Sequence, residues 1–117
     1  MGRIERVNEQ LKREVSKIIH QDLADPRLQF VTITQADVSK DLRSAKVYYS
    51  VLGDDKQIEG IKECLEQIRG MVRKLIGQRM SMRYTPEIFF SYDRSIELSA
   101  RIDTALKEIQ NESKENA

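Results

Sequence analysis

The 117-residue chain has very little of what most catalytic and metal-binding sites are built from. It contains a single cysteine, Cys64, and a single histidine, His20. One cysteine excludes a disulfide within the chain, and the apolar spacing around Cys64 predicts a small residue of the core. A metal site needs several convergent His, Cys or carboxylate ligands, so no metal and no cofactor is expected. The low cysteine content is typical of a protein of the cytoplasm.

Sequence motifs of phosphate-binding and nucleophilic enzymes are missing as well. No GxxxxGK, GxSxG or GxGxxG pattern occurs. His20 lies close to Asp22 and Asp25, which leaves a small hydrolytic site as one hypothesis. A surface histidine in the last turn of a helix is the simpler interpretation, because imidazolium is favoured at the negative helix end. The sequence therefore predicts a protein that is not an enzyme.

Long apolar runs are also missing, and none approaches the roughly 20 residues that a membrane span needs. The start of the chain does not resemble a signal peptide. With 39% apolar and 33% charged residues, the composition is typical of a soluble globular protein. We expect one domain over residues 1–109, a flexible tail over 110–117, and a monomer without membrane contact.

The periodicity of apolar residues predicts the element order α-β-β-α-α-β-α. The predicted elements are helix 3–21, strands 30–38 and 45–52, a helix pair from 54 to about 77, strand 82–92 and helix 95–109. The second and third strands are joined by a crossover connection, so they are expected to be parallel. The fold class is then α+β, with a three-stranded mixed sheet that carries helices on one face and leaves the other partly open.

Charge is sharply separated along a chain whose net charge is only +1. Residues 54–66 contain five acids against two lysines. The next segment, between Gln67 and Pro86, has no carboxylate and five cations: Arg69, Arg73, Lys74, Arg79 and Arg83. Such a segment favours binding of a phosphate backbone over recognition of bases, although a solvated helix face is the simplest alternative.

A glycine, Gly70, lies inside this basic segment. Glycine costs a helix about 1 kcal/mol relative to alanine, so the sequence predicts a break between two helices there. A break would free the first backbone N–H groups of the second helix, which bind phosphate readily.

Several motifs, in this order and spacing, carry a family resemblance. They are Arg6-Val7, "DPRL" at 25–28, "DLRSAKVYYS" at 41–50 and "IRGMVRKLIGQRMSMRYTPEIFFSYDRS" at 68–95. Over about residues 3–105 the chain resembles the ribosome-binding factor A family. The resemblance implies a type II KH-like domain, in which a kinked helix–helix junction replaces the GXXG loop. The family's junction usually has the pattern Ala-x-Gly, and here the bulkier Ile68 stands at the alanine position.

The resemblance also implies a function. Members are non-catalytic assembly factors that bind the free small (30S) ribosomal subunit and assist late maturation of its rRNA, including 5′-end processing, most of all in the cold. A small-subunit GTPase that promotes release is a further partner that the resemblance implies.

The leading hypothesis is therefore an RNA-binding factor for ribosome biogenesis. Its main candidate contacts are Arg69, Gly70, Arg73, Lys74, Arg79 and Arg83. The secondary candidates are Arg3, Arg6, Lys12, Arg13, Lys17, Arg27, Arg43 and Lys46. Tyr48, beside Lys46 on the open sheet face, is either a stacking platform for a base or an ordinary half-buried strand residue. The competing hypothesis is a protein-interaction adaptor whose basic helix meets an acidic partner and has no direct RNA role.

Overall fold

The computed structural model describes residues 2–94, and every element below lies within that range. Two helices and three strands follow one another in the order α-β-β-α-β. They are α1 (Arg3–Lys17), β1 (Val31–Val38), β2 (Ser44–Val51), α2 (Asp55–Arg79) and β3 (Glu87–Tyr92). A π-helical turn (Ile18–Asp22) and a 3-10 turn (Pro26–Leu28) connect α1 to β1. The helix predicted over 95–109 lies outside the described residues.

The three strands form one mixed sheet in the order β1-β2-β3. β1 and β2 make an antiparallel hairpin, and β3 returns parallel to β2 after α2, which confirms the predicted crossover. A bulge at Thr34 shifts the register of β1. Because of this extra residue, Ile33 before the bulge and Ala36 after it are both buried.

Both helices pack on the same face of the sheet. Leu11 of α1 and Val72 of α2 are fully buried in one cluster with Val47 of β2 and Ile88 of β3. Each such side chain stabilises the fold by about 1.5–3 kcal/mol on transfer from water. The α+β class and the three-stranded mixed sheet with helices on one face are thus confirmed.

The start of α2 lies where the aspartates predict it. The Asp54 carboxylate accepts a hydrogen bond from the Gln57 backbone N–H at 2.8 Å. The Gln57 side chain in turn accepts one from the Asp54 backbone N–H, also at 2.8 Å. This reciprocal capping box satisfies two backbone donors that a helix start otherwise leaves without partners.

α2 is one continuous helix, so the break predicted at Gly70 is wrong. A single glycine costs only about 1 kcal/mol, and packing on both sides outweighs that cost. Leu65 and Val72 are buried on either side of the glycine, and Ile68 packs against the same core. The backbone N–H groups near Gly70 are therefore engaged in helical hydrogen bonds and do not form the predicted phosphate seat.

The third strand is shorter than predicted, since it begins at Glu87 and the preceding residues 80–86 form a loop. Pro86, which has no N–H to donate to a strand ladder, marks the boundary. Within residues 2–94, no helix combines the length and the apolar character that crossing a membrane demands.

Candidate nucleic-acid interface

The most regular basic surface lies on α1. Arg3, Arg6, Arg13 and Lys17 are all exposed. At about 100° per residue, their spacing keeps them within an arc of about 80° around the helix axis. The distance along the axis from the first to the last is about 21 Å, at about 1.5 Å per residue. We refer to these four residues as the α1 stripe.

The cations of the α1 stripe remain available to an external anion. Arg3 and Arg6 form no ion pair with another residue of the described range. Arg13 Nε donates to a backbone carbonyl of its own helix at 3.5 Å, and Lys17 Nζ lies 4.0 Å from a Glu14 oxygen. Long contacts at the surface contribute at most about 1 kcal/mol, so a phosphate group can replace them.

Two cations of α2 contact the edge strand of the sheet or the loop before it. Arg69 Nη2 lies 3.9 Å from a Glu87 oxygen, and its guanidinium carbon lies 4.8 Å from the centre of the Phe89 ring. One turn later, Arg73 Nη2 donates to the Thr85 carbonyl at 3.1 Å. These contacts join the middle of α2 to β3 and to the loop before it.

The remaining cations of the basic segment lie elsewhere. Arg79 forms ion pairs with Glu14 of α1, at 3.7 Å, and with Asp22 of the π-helical turn. Lys74 is exposed, about 140° around the helix axis from Arg69. The sequence places these cations in one segment, but the structure does not bring them together in one patch.

Arg83 is on the loop before β3, with its guanidinium carbon 5.4 Å from the Tyr84 ring centre. Tyr84 itself is 64% exposed. This pair lies at the end of the sheet where β3 begins.

Two secondary candidates of the helical side have other surroundings. Lys12 is half-buried and lies on α1 about 180° from Arg3, outside the α1 stripe. Arg27 holds Asp25 through several hydrogen bonds, of which Nη2 to Oδ2 is 2.7 Å. The hydrogen bonds from Arg27 lower the pKa of the Asp25 carboxyl to about 2. Arg27 therefore belongs to a local ion pair that holds the 3-10 turn.

Arg43 lies in the hairpin turn next to the sheet, and Lys46 lies on β2. Arg43 is exposed in the hairpin turn, and its carbonyl accepts from the Glu87 backbone N–H at 2.9 Å. Lys46 is exposed on the face opposite the helices, with Nζ 5.9 Å from the Tyr48 ring centre. Tyr48 is half-buried on that face, as the sequence alternation predicts.

His20, Asp22 and Asp25, the three residues of the hypothetical hydrolytic site, each contact a different partner. His20 Nε2 donates to the Val31 carbonyl at 2.7 Å. Asp22 and Asp25 each bind an arginine of their own. Cys64 is fully buried, which confirms its predicted core position, and burial raises the pKa of its thiol.

Sequence reasoning ranked the cations of α2 above the α1 stripe and assigned no role to Phe89. The α1 stripe was visible as the spacing 3-6-10-13-17, in which Gln10 occupies the middle position. We rank the α1 stripe first as a candidate RNA contact because the structure shows intramolecular partners for three of the α2 cations. Phe89 is placed directly beside Lys46 by the parallel register of β2 and β3, which no local pattern indicates.

Comparisons with known proteins agree with this architecture. The family model of ribosome-binding factor A matches residues 3–106. Ribosome-binding factor A of Halothermothrix orenii is 48% identical over 110 residues, which are 94% of this chain and 90% of the relative. The crystal structure of ribosome-binding factor A from Thermus thermophilus is similar with a TM-score of 0.71 and 28% identity, over 81% of this chain and 100% of that one.

A homology model of the Thermus thermophilus factor, fitted into a cryo-EM map of its complex with the 30S subunit, is also similar. Its TM-score is 0.62 at 30% identity, over 74% of this chain and 91% of that one. The match to the family model and the 48% identity together cover nearly all of the sequence. This chain belongs to the ribosome-binding factor A family.

Proposed function

We propose that this protein is a non-catalytic ribosome assembly factor of the cytoplasm that binds the free small (30S) ribosomal subunit. It assists late maturation of the subunit's rRNA, including processing of the 5′ end. Family membership supports the proposal, as does the similarity to a factor fitted into a 30S complex. The observation that carries the mode of binding is the α1 stripe, a straight row of exposed cations along one helix.

The α1 stripe is suited to phosphate groups rather than to bases. Its cations are side-chain charges on the outside of a rigid helix, so they hold a polyanionic strand without distinguishing its sequence. Each phosphate that a cation neutralises releases counterions and makes binding more sensitive to salt. Binding energy of this kind favours one rRNA conformation over another only through the difference in affinity for the two. We infer that the bound conformation is the one in which the 5′ end is processed.

The other candidate contacts rank below the α1 stripe. Arg69, Arg73 and Arg79 must each exchange an intramolecular partner for a phosphate group. Lys74 is exposed and free of described ion pairs, so it is the best of the α2 candidates. A small-subunit-dependent GTPase that promotes release is the second partner that we expect.

Co-sedimentation tests the proposal. The protein is expected to pellet with purified small subunits and not with large subunits or intact ribosomes. Arg6→Gln combined with Arg13→Gln should weaken pelleting, whereas Lys56→Gln combined with Lys62→Gln, which removes the same charge from another surface, should not. Pelleting with all three particles, or equal loss in both double variants, would contradict the assignment.

Two further measurements separate this function from an adaptor role. Ribonuclease treatment should release the protein from the pelleted particle, because the contacts are made to rRNA; an adaptor bound to an acidic protein would stay attached. Cells that lack the protein should accumulate small-subunit rRNA with unprocessed 5′ ends, with a larger effect at low temperature. Normal 5′ ends at every temperature would contradict the proposed role in rRNA maturation.

A further inference from the structure

The sheet has a second face, which is turned away from both described helices and carries two aromatic residues among polar ones. The outward-facing positions are Thr32, Gln35 and Asp37 of β1, Ser44, Lys46, Tyr48 and Ser50 of β2, and Glu87, Phe89 and Ser91 of β3. None of the ten is aliphatic. Two are aromatic, and both of these belong to the adjacent strands β2 and β3.

Register places the two aromatic residues close together. Phe89 pairs directly with Lys46, and Ser91 pairs with Tyr48. Tyr48 and Phe89 are therefore diagonal neighbours on one face, a separation that aromatic side chains bridge. Phe89 is 38% exposed, so its ring is accessible from solvent.

Each of the two rings has a cation beside it. Lys46 Nζ lies 5.9 Å from the Tyr48 ring centre, and the Arg69 guanidinium carbon lies 4.8 Å from the Phe89 ring centre. Arg69 extends from α2 around the edge strand to reach this ring. Nucleobases stack on aromatic rings and on guanidinium planes, so the Phe89–Arg69 pair offers a stacking partner at the edge strand.

One end of this face is basic. The hairpin turn carries Lys40 and Arg43, and the loop before β3 carries Arg83. The Glu87 backbone N–H donates a hydrogen bond to the Arg43 carbonyl at 2.9 Å, which joins the turn to the start of β3. Asp41, which caps the turn, and Glu87, the first residue of β3, are the acids at this end. Further along the face, Asp37 lies opposite Lys46, so the middle carries no excess of positive charge.

We propose that the outer face of the sheet binds unpaired bases of single-stranded RNA. Tyr48 and the Phe89–Arg69 pair stack on the bases, and Lys40, Arg43 and Arg83 hold the phosphates at the basic end. This proposal extends the RNA-binding function proposed above to a second surface, on the side of the protein opposite the α1 stripe. It rests on that function only in taking RNA as the ligand.

The composition of the face favours this ligand over two others. A duplex is held mainly by its phosphates, and the middle of the face lacks the excess of positive charge that this requires. A protein interface has an apolar centre, whereas the register neighbours of the two rings are polar or charged: Gln35 and Ser91 beside Tyr48, and Lys46 beside Phe89. Base–aromatic stacking needs only exposed rings and a few cations along the strand.

The chain contains no tryptophan, so Phe89→Trp creates a single fluorescent reporter on the face. We expect saturable quenching of this reporter by an eight-nucleotide oligouridylate and by an oligoadenylate. An RNA duplex of the same length should quench it much less. Tyr48→Leu in the reporter background should weaken the binding at least about fivefold, because one stacking partner is lost.

A matched pair of variants in the parent protein controls for the loss of an aromatic ring. Phe89→Leu removes a ring from the outer face, and Phe30→Leu removes one that is 58% exposed outside the sheet. Binding of labelled oligouridylate, followed by anisotropy, should weaken only in Phe89→Leu. Thermal unfolding of each variant checks that the domain is folded.

The outcomes separate this proposal from the proposed function. Absence of quenching, equal quenching by duplex, or equal loss in both leucine variants would overturn the sheet-face assignment, even if small-subunit pelleting still depended on Arg6 and Arg13. If the sheet-face variants weakened subunit binding without any binding of free RNA strands, the face would contact a protein, and the assignment would also be overturned.

Discussion

The two helices of this protein carry similar numbers of cations and use them differently. On α1 the four cations of the α1 stripe point to one side, and Arg3 and Arg6 have no ion-pair partner among the described residues. On α2 the cations diverge: Arg69 and Arg73 contact β3 and its preceding loop, and Arg79 contacts α1. The helix with the denser basic segment in sequence is therefore the one with fewer available charges.

This difference shows that charge density along a chain does not measure charge available to a ligand. An arginine that joins two elements must lose its partner before it can bind a phosphate group, and the acid left behind then becomes unpaired. An arginine on the outside of a helix loses only its hydration. The α1 stripe should therefore dominate binding, and the α2 cations should dominate stability.

The largest effect should appear in the salt dependence of small-subunit binding. Each phosphate contact contributes roughly 0.7–0.9 to the slope of log affinity against log salt. Arg6→Gln with Arg13→Gln should thus lower the slope by roughly 1.4–1.8 and weaken binding roughly 10- to 30-fold at 0.15 M salt. Arg73→Gln with Arg79→Gln should change the slope by less than about 0.5. The slopes are measured by binding titrations at several salt concentrations. Equal slopes for the two double variants would contradict the claim that the α1 stripe makes more phosphate contacts than the α2 cations.

Stability should respond in the opposite order. Arg79→Ala leaves Glu14 and Asp22 without their shared partner, so we expect a loss of about 1 kcal/mol, or roughly 4–8 °C in Tm. Arg13→Ala on the α1 stripe should change stability by less than about 0.5 kcal/mol. Thermal unfolding followed by circular dichroism measures both. A larger loss of stability in Arg13→Ala than in Arg79→Ala would contradict the claim that the α2 cations contribute more to stability than the α1 stripe.

Gly70→Ala tests the continuity of α2. An added Cβ at Gly70 meets no atom within 4 Å, so alanine should stabilise the helix by about 0.5–1 kcal/mol. Gly77→Ala is the matched control, because its added Cβ would lie 2.7 Å from Thr85 Oγ1. This close contact should offset the gain in stability that alanine gives to a helix. Chemical denaturation gives both values, and a destabilised Gly70→Ala would contradict a continuous helix.

The same variant also addresses the kinked junction that the family resemblance implies. If α2 keeps its present shape on the small subunit, Gly70→Ala should bind the subunit like the parent. If Gly70→Ala is more stable than the parent but binds the subunit tenfold more weakly, the helix bends at Gly70 in the complex. The role of the glycine would then be to permit that bend.

The smallest effect concerns acid stability at the 3-10 turn. The pKa of Asp25 is about 2 in the fold against an ordinary value of 3.8. A lowered folded pKa stabilises the protein above about pH 4, and this contribution is lost as the pH falls toward 2. Asp25→Asn should therefore be slightly less stable at pH 7 and lose less stability between pH 4 and pH 2. Urea midpoints across that range would show it, and parallel profiles for parent and variant would contradict the role of the Arg27 pair.

Local patterns were sufficient for several parts of the fold. The alternation in β2 predicted which side chains are buried, and Asp54 predicted the start of α2, because both depend on residues close in sequence. Gly70 was misjudged because helix propensity is a weak local term, whereas the burial of Leu65, Ile68 and Val72 is a tertiary one. Predictions failed where a small local preference competed with packing.

For the candidate sites, the sequence by itself determined the family, the separation of charge and the straight spacing of the α1 stripe, since a helix fixes the relative directions of its own side chains. Only the tertiary structure decided which cations have partners and which aromatic residues are neighbours. Arg79 meets Glu14, and Phe89 meets Lys46 and Arg69, across long stretches of chain. Such contacts depend on how α1, α2 and β3 pack together, and packing is set by the whole core rather than by any one segment.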